Sequence, residues 1–161
     1  MKKLVYTVNP SHTIDEGEGS WVRITVPSAA QINDAITKIL HRKAESITHN
    51  KELRHYINEK YLEAVTPYVP RSNDEEKAYN NHHLQDAIIT SDGRIIWSAK
   101  NKGYNYAYIQ YVSLSYKHPK RYTGHKPTAY WLERVVPGNT QWNRVFIPSI
   151  RKAVKEAYKD G

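Results

Sequence analysis

The dipeptide Asp92-Gly93 is the sequence feature that most constrains the fold of this chain. It lies between two runs rich in β-branched and aromatic residues, Ala87–Thr90 and Ile95–Trp97. Asp-Gly in this setting is typical of a type I′ turn, because glycine accepts a positive φ without steric cost. The sequence therefore predicts a β-hairpin in the middle of the chain.

Two further strands are predicted near the N-terminus, at Lys3–Val8 and Trp21–Val26, because both segments are rich in β-forming residues. The polar segment His12–Ser20 between them is predicted to be a loop. Two arrangements fit the pattern: the strands pair with each other, or they form an N-terminal extension that adds to the sheet edge of a neighbouring subunit.

Between Ser28 and Val65 the chain contains no Gly or Pro, and apolar residues recur at helical spacing in both halves of this stretch. The polar patch Glu45–Lys51 predicts a break between two amphipathic helices, with Thr48 or Asn50 capping the second one. Thr66-Pro67 is expected to end that helix, because the residue before proline is pushed out of the α region.

The second half alternates loops with short elements. Pro67–Asn81 is polar and charged, which predicts an exposed loop. Tyrosines between Tyr104 and Val112 fit either a strand or a helical turn. Thr128–Val136 predicts a short helix that turns Tyr130 or Trp131 inward together with Val135.

The final predicted helix runs from Gln141 to Tyr158, where Pro148 either kinks it or opens a new helix. We expect one domain over residues 1–161, with residues 1–27 as a strand extension in the alternative arrangement. Its class is α+β: a small antiparallel sheet with a central hairpin, packed against N-terminal and C-terminal helices. Trp97 and Trp142 are the predicted core anchors between hairpin and terminal helix.

Positive charge is concentrated in the second half of the chain. Residues 1–80 carry 11 basic and 11 acidic side chains, whereas residues 81–161 carry 13 basic and 5 acidic ones, which accounts for the net charge of +8. Such a field attracts nucleic acid or an acidic protein surface. A solvated basic surface is the plain alternative.

A basic and aromatic loop around residues 116–126 is the sequence feature most typical of nucleic-acid binding. The candidate contact residues are Lys117, Lys120, Arg121, Tyr122 and Lys126. Cations neutralise phosphates, and aromatic rings stack on unpaired bases. The alternative is an exposed loop whose tyrosines pack at a subunit interface, with a partner protein as the ligand.

Motifs for catalysis and metal binding are weak. The chain has no cysteine, and it lacks a glycine-rich phosphate loop, a GxSxG elbow and an HExxH motif. The tightest histidine cluster is His82-His83 with Asp86, but adjacent histidines point in different directions along a strand or helix. His118 and His125 flank a loop tip that we expect to be solvated. We therefore expect no enzyme, no cofactor and no metal.

The first residues, MKKLVYTVNP, contain no apolar run long enough for a signal peptide or a membrane span. We expect a protein that is used without export and has no membrane partner.

Short motifs between residues 50 and 158 occur in an order that resembles the minor capsid or neck proteins of long-tailed bacteriophages. They comprise Tyr56–Val65 with the turn Thr66–Pro70, Leu84 before the hairpin, Ile96-Trp97 within it, Tyr106–Ile109 with Tyr111, Pro127–Trp131, and Trp142. The family usually follows its proline turn with Thr-Gly, whereas this chain has a longer polar insertion at Arg71–His83. Residues 1–27 have no counterpart in the resemblance.

The resemblance implies a structural virion protein, assembled in the host cytoplasm, that forms a head-to-tail connector ring. Such a ring joins the portal side to the tail around the DNA channel, so its partners would be other copies of the chain, connector, portal or tail proteins, and packaged DNA without sequence specificity. A heterologous contact repeated around an axis closes into a ring. The alternatives are a sequence-nonspecific nucleic-acid-binding domain and a small enzyme using His82, His83 and Asp86.

Overall fold

The computed structural model describes residues 3–7, 12–17, 20–24, 29–42, 50–71, 83–89, 94–97, 100–101, 104–105, 107–114 and 118–159.

A five-stranded antiparallel sheet unites the N-terminal strands with the predicted hairpin. Its strands are β1 (Lys3–Thr7), β2 (His12–Gly17), β3 (Ser20–Ile24), β4 (Ile88–Ile89) and β5 (Arg94–Trp97). Their order across the sheet is β3-β2-β1-β5-β4. The hairpin β4-β5 therefore forms one side of the sheet, and β1 is the middle strand.

The predicted loop His12–Ser20 is wrong, since most of it is strand β2. The two predicted N-terminal strands do not pair with each other, because β2 lies between them and pairs with β1 on one side and β3 on the other. β1 also pairs with β5 of the same chain, with Leu4 opposite Trp97. Pairing on both sides satisfies the backbone donors and acceptors of β2, and this outweighs its polar composition.

The predicted hairpin is confirmed. β4 and β5 are antiparallel, with Ile88 opposite Ile96 and Ile89 opposite Ile95. The turn at Asp92-Gly93 lies outside the described residues.

The two predicted helices are confirmed as α1 (Ala29–Leu40) and α2 (Lys51–Val65). Asn50, one of the two predicted caps, is the N-cap of α2. Its Oδ1 accepts a hydrogen bond from the backbone N–H of Leu53 at 2.9 Å. Thr48 lies outside the described residues. A 3-10 turn over Thr66–Tyr68 ends α2 at the expected proline.

The segment after α2 is less exposed than predicted. Val69 and Pro70 are both buried, and Val69 belongs to the hydrophobic core. The prediction of an exposed loop from Pro67 is therefore wrong for its first residues, because the chain turns back across the core. Residues 72–81 of that loop lie outside the described part of the chain.

The tyrosine-rich segment uses both predicted conformations in succession. β6 (Lys100–Asn101) and β7 (Tyr104–Asn105) form a separate antiparallel pair, and the helix α3 (Ala107–Val112) follows directly.

A 3-10 turn over Trp131–Arg134 replaces the predicted helix from Thr128. Tyr130 precedes it in the left-handed region with a φ of 51°, which is incompatible with continuing a right-handed helix. Trp131 and Val135 are fully buried, as predicted, whereas Tyr130 is half-buried.

The terminal helical run contains a π turn at Trp142–Phe146, followed by α4 (Ile147–Ala157). Pro148 lies in the first turn of α4, as in the second of the two predicted arrangements. Proline has no backbone N–H, and its ring clashes with the carbonyl four residues earlier. The wider turn accommodates this, since the N–H of Ile147 bonds to the carbonyl of Trp142, five residues back.

The helices and the sheet share one hydrophobic core, which confirms the α+β class. α1 and α2 contact α4, and α2 contacts both strands of the hairpin. Trp97 of β5 and Trp142 of the π turn are both buried in this core. Both predicted core anchors therefore lie where the sequence placed them.

Candidate nucleic-acid interface

The basic loop, residues 118–126, is attached by its C-terminal end to the turn that follows α2. The backbone N–H of Lys126 donates to the carbonyl of Pro67 at 2.8 Å, and the N–H of Thr128 donates to that of Tyr68 at 3.0 Å. Two segments that are distant in sequence are thus joined by ladder-like hydrogen bonds. The loop has a defined backbone although it contains neither helix nor strand in its described residues.

His125 is the buried centre of this loop, with a relative exposure of 1%. Its Nδ1 accepts a hydrogen bond from the backbone N–H of Arg121 at 3.1 Å, and its Nε2 lies 2.9 Å from the carbonyl of Val69. These partners assign the neutral tautomer that carries its proton on Nε2. The expectation of a solvated His125 is therefore wrong.

Tyr122 covers the imidazole. The two rings are stacked, with centroids 4.4 Å apart and planes inclined by 5°. The Tyr122 hydroxyl accepts a hydrogen bond from Nε2 of Gln85 at 2.8 Å, and the same nitrogen donates to the carbonyl of Thr66 at 3.0 Å. One face of the tyrosine ring is consequently occupied within the protein, and Tyr122 as a whole is 39% exposed.

The cations predicted for this site lie on the surface of the loop. Lys120, Arg121 and Lys126 are exposed, and no acidic residue occurs between residues 118 and 126. Nε of Arg121 donates to the backbone carbonyl of Arg71 at 3.3 Å, so a further basic residue, Arg71, lies beside the loop. Lys117 lies outside the described residues. The structure therefore brings three of the four predicted cations onto one anchored basic loop.

The role of His125 was missed by sequence reasoning because its partners belong to other segments. Only the position of a histidine within a glycine-containing turn marks it in the sequence. Its bond to Val69 spans 56 residues, and its neighbour Gln85 lies 40 residues away.

Three of the four histidines considered from sequence, His83, His118 and His125, lie within the described residues. His118 lies 3.3 Å from the carbonyl of Gln110 through Nε2, and His125 has the separate partners given above. His83 is buried, its backbone N–H donates to the carboxylate of Asp86 at 3.0 Å, and His82 lies outside the described residues. No group of three metal-ligating side chains occurs within the described ranges.

A second aromatic cluster belongs to the core. The rings of Tyr111 and Trp131 meet edge to face, with centroids 4.8 Å apart. The hydroxyl of Tyr111 and the indole N–H of Trp131 are buried and have no hydrogen-bond partner among the described residues. Burial raises the pKa of Tyr111 well above its usual range, and the charge of Glu133 raises that pKa further.

No family model, curated protein or solved structure matches this chain. No helix in the described residues is both long and apolar enough to cross a membrane.

Proposed function

We propose that this protein is a structural component of a tailed-phage neck, where it forms part of the head-to-tail connector ring around the DNA channel. The observation that carries the proposal is the ordered set of short motifs between residues 50 and 158. Their aromatic members Trp97, Tyr111, Trp131 and Trp142 pack in a single core, so the motifs that resemble the family belong to one structural unit.

Exposed apolar residues on separate elements support assembly with neighbours. Ile88 is 58% exposed on β4, Leu114 is 82% exposed just after α3, and Val145 is 43% exposed on the π turn. β4 is an edge strand that pairs only with β5 among the described residues. An edge strand with an exposed β-branched residue is a template for pairing with another chain.

A ring needs two different surfaces on each subunit, since a heterologous contact joins one surface to another around the axis. The edge of β4 supplies one such surface, and Leu114 or Val145 supplies a candidate for the other. We therefore propose other copies of the chain as partners, together with connector, portal or tail proteins of the particle.

The test measures the mass of the purified chain in solution by light scattering across a concentration series. Electron microscopy of the largest species then shows the shape of the particles. We expect oligomers that grow with concentration and ring-shaped particles. Ile88→Lys should weaken association, because a lysine on an edge strand opposes pairing. Glu52→Gln on the exposed start of α2 also raises the net charge by one and serves as the control for charge.

A parent protein that stays monomeric at every concentration, with Ile88→Lys indistinguishable from it, would contradict assembly through β4. Equal weakening by Ile88→Lys and Glu52→Gln would show that charge, and not the strand edge, governs the association.

A sequence-nonspecific nucleic-acid-binding domain is the second candidate, and the anchored basic loop favours it. A monomer that binds duplex DNA with an affinity falling steeply with salt, and that forms no oligomer, would support this function over the connector.

A further inference from the structure

The solvent face of α4 carries a stripe of cations that is separate from the basic loop. We call it the α4 stripe and define it by Arg151, Lys155 and Lys159. They follow one another at intervals of four residues. Arg151 and Lys155 lie on α4, where four residues correspond to about 6 Å along the helix axis, and Lys159 lies in the turn that follows Ala157. All three are exposed.

The charges of the α4 stripe are free to meet a ligand. To described residues, the side chains of Arg151, Lys155 and Lys159 make no hydrogen bond or ion pair. The neighbouring Lys152 lies 3.8 Å from Glu156, in an exposed pair that contributes little to stability. Binding an anion would therefore break no internal contact of the stripe.

The stripe borders an open groove of about 520 Å³. Its lining consists of Pro148, Arg151, Lys152, Lys155, Glu156 and Lys159. At the end of the helix, the guanidinium of Arg42 donates to the backbone carbonyl of Tyr158 and adds another cation beside Lys159. Among the described residues, the groove itself is lined by four basic side chains and one carboxylate, and Arg42 lies at its end as a fifth basic residue.

The opposite face of α4 is buried in the hydrophobic core. Ile150 and Val154 are completely buried, and Phe146 precedes them on the same side. The stripe itself presents no aromatic or branched apolar side chain. Protein interfaces rely on such anchors, and membrane-surface helices need an exposed apolar face. A ligand for this face must therefore be recognised by charge.

We propose that the α4 stripe binds the phosphate backbone of duplex DNA without reading its sequence. A row of exposed cations on a helix and the turn that ends it matches a regularly charged polymer, and release of condensed counterions supplies the free energy. The choice of DNA as the polyanion rests on the connector function proposed above, since a ring around the channel presents one face to the duplex. The site also differs from the basic loop to which the sequence analysis assigned nucleic-acid contact.

The test compares two triple variants that remove the same charge from the full-length protein. In the first, Arg151→Gln, Lys155→Gln and Lys159→Gln remove the α4 stripe; in the second, Lys120→Gln, Arg121→Gln and Lys126→Gln remove the loop cations. Binding to a 24-base-pair duplex of mixed sequence is followed by fluorescence anisotropy between about 50 and 200 mM salt. Circular dichroism checks that both variants melt with the parent.

We expect the parent's slope of log affinity against log salt to fall by about 2 to 3 in the stripe variant, because each lost phosphate contact removes about 0.9. The loop variant should keep most of the parent slope. Glu156→Gln should raise the affinity, since it releases Lys152 and removes the one carboxylate that lines the groove.

Three results would overturn the assignment. The parent protein does not bind the duplex, or the two triple variants lose the same amount of affinity for DNA. In the third, the stripe variant keeps the parent's salt slope for DNA and instead loses binding to anionic phosphatidylserine vesicles. The mass measured on the same samples separates this inference from the connector proposal. Oligomers without DNA binding contradict the stripe alone, while a DNA-binding monomer with the expected stripe effect contradicts the ring alone.

Discussion

The imidazole of His125 lies parallel to the phenol ring of Tyr122 at a centroid distance of 4.4 Å. The pair closes the basic loop over the buried carbonyl of Val69, to which His125 is hydrogen-bonded at 2.9 Å. A neutral buried histidine thereby adds to the backbone hydrogen bonds that hold an exposed, positively charged loop.

Replacing His125 by alanine should destabilise the protein by about 2 to 4 kcal/mol. The change removes two hydrogen bonds and a buried ring. The N–H of Arg121 loses this acceptor, and the carbonyl of Val69 loses its shorter contact and keeps only the one from Gln85 at 3.3 Å among the described residues. A buried group that loses its hydrogen-bond partner costs about 1 to 3 kcal/mol. Urea unfolding measures the effect. His118→Ala is the matched control, since that half-buried ring has one long contact, and a loss of equal size there would contradict a special role for His125.

Tyr111→Phe should leave the free energy of unfolding unchanged or raise it by about 1 kcal/mol, because it deletes a buried hydroxyl that has no hydrogen-bond partner in the described part of the chain. Thermal unfolding at neutral pH tests this. Tyr61→Phe is the control with the opposite sign, because the hydroxyl of Tyr61 lies 3.1 Å from the carbonyl of Leu132. A clear loss of stability in Tyr111→Phe would reveal a hydrogen bond at that hydroxyl.

Alkaline pH should weaken the fold through Tyr111. Burial raises the pKa of Tyr111 in the folded state, so folding favours the neutral phenol. The stability that this preference contributes is fully present below the unfolded pKa of about 10, and it declines as the pH rises above that value. Unfolding measured between about pH 8 and 11 should show a smaller decline in Tyr111→Phe than in the parent. Parallel curves for the two proteins would contradict the assignment.

Trp97→Ala and Trp142→Ala should each lower the free energy of unfolding by about 3 to 5 kcal/mol, since both indoles are buried in the shared core and their removal leaves large cavities. Val145→Ala on the exposed side of the π turn should change it by less than about 0.5 kcal/mol. If both tryptophan variants melt within a degree or two of the parent, the packing of hairpin against terminal helix is wrong.

Asn50→Ala should cost about 1 kcal/mol, because it removes the acceptor for the N–H of Leu53 at the start of α2. Asn50→Asp keeps an acceptor there and should retain most of the stability. Equal losses in the two variants would show that the cap is not the source of the effect.

For the candidate interface, the sequence predicted the exposed cations but not the buried contacts that hold the loop. Lys120, Arg121 and Lys126 follow from composition alone, since a polar segment with proline and glycine lies at the surface. The burial of His125 and the engagement of Tyr122 with Gln85 could not be predicted, because they depend on segments 37 to 56 residues apart meeting at one point.

Local patterns in the sequence determined the elements whose stability is local. The periodicity of α1 and α2, the capping by Asn50, the pairing of β4 with β5 and the interruption at Pro148 all depend on residues within a few turns of one another. Tertiary structure decided the rest. The strand β2 exists because β1 and β3 supply hydrogen bonds on both of its sides, and Val69 and His125 are buried because the chain returns across the core. A polar strand or a buried histidine has no local signature, since its stability comes from partners that only the folded chain brings near.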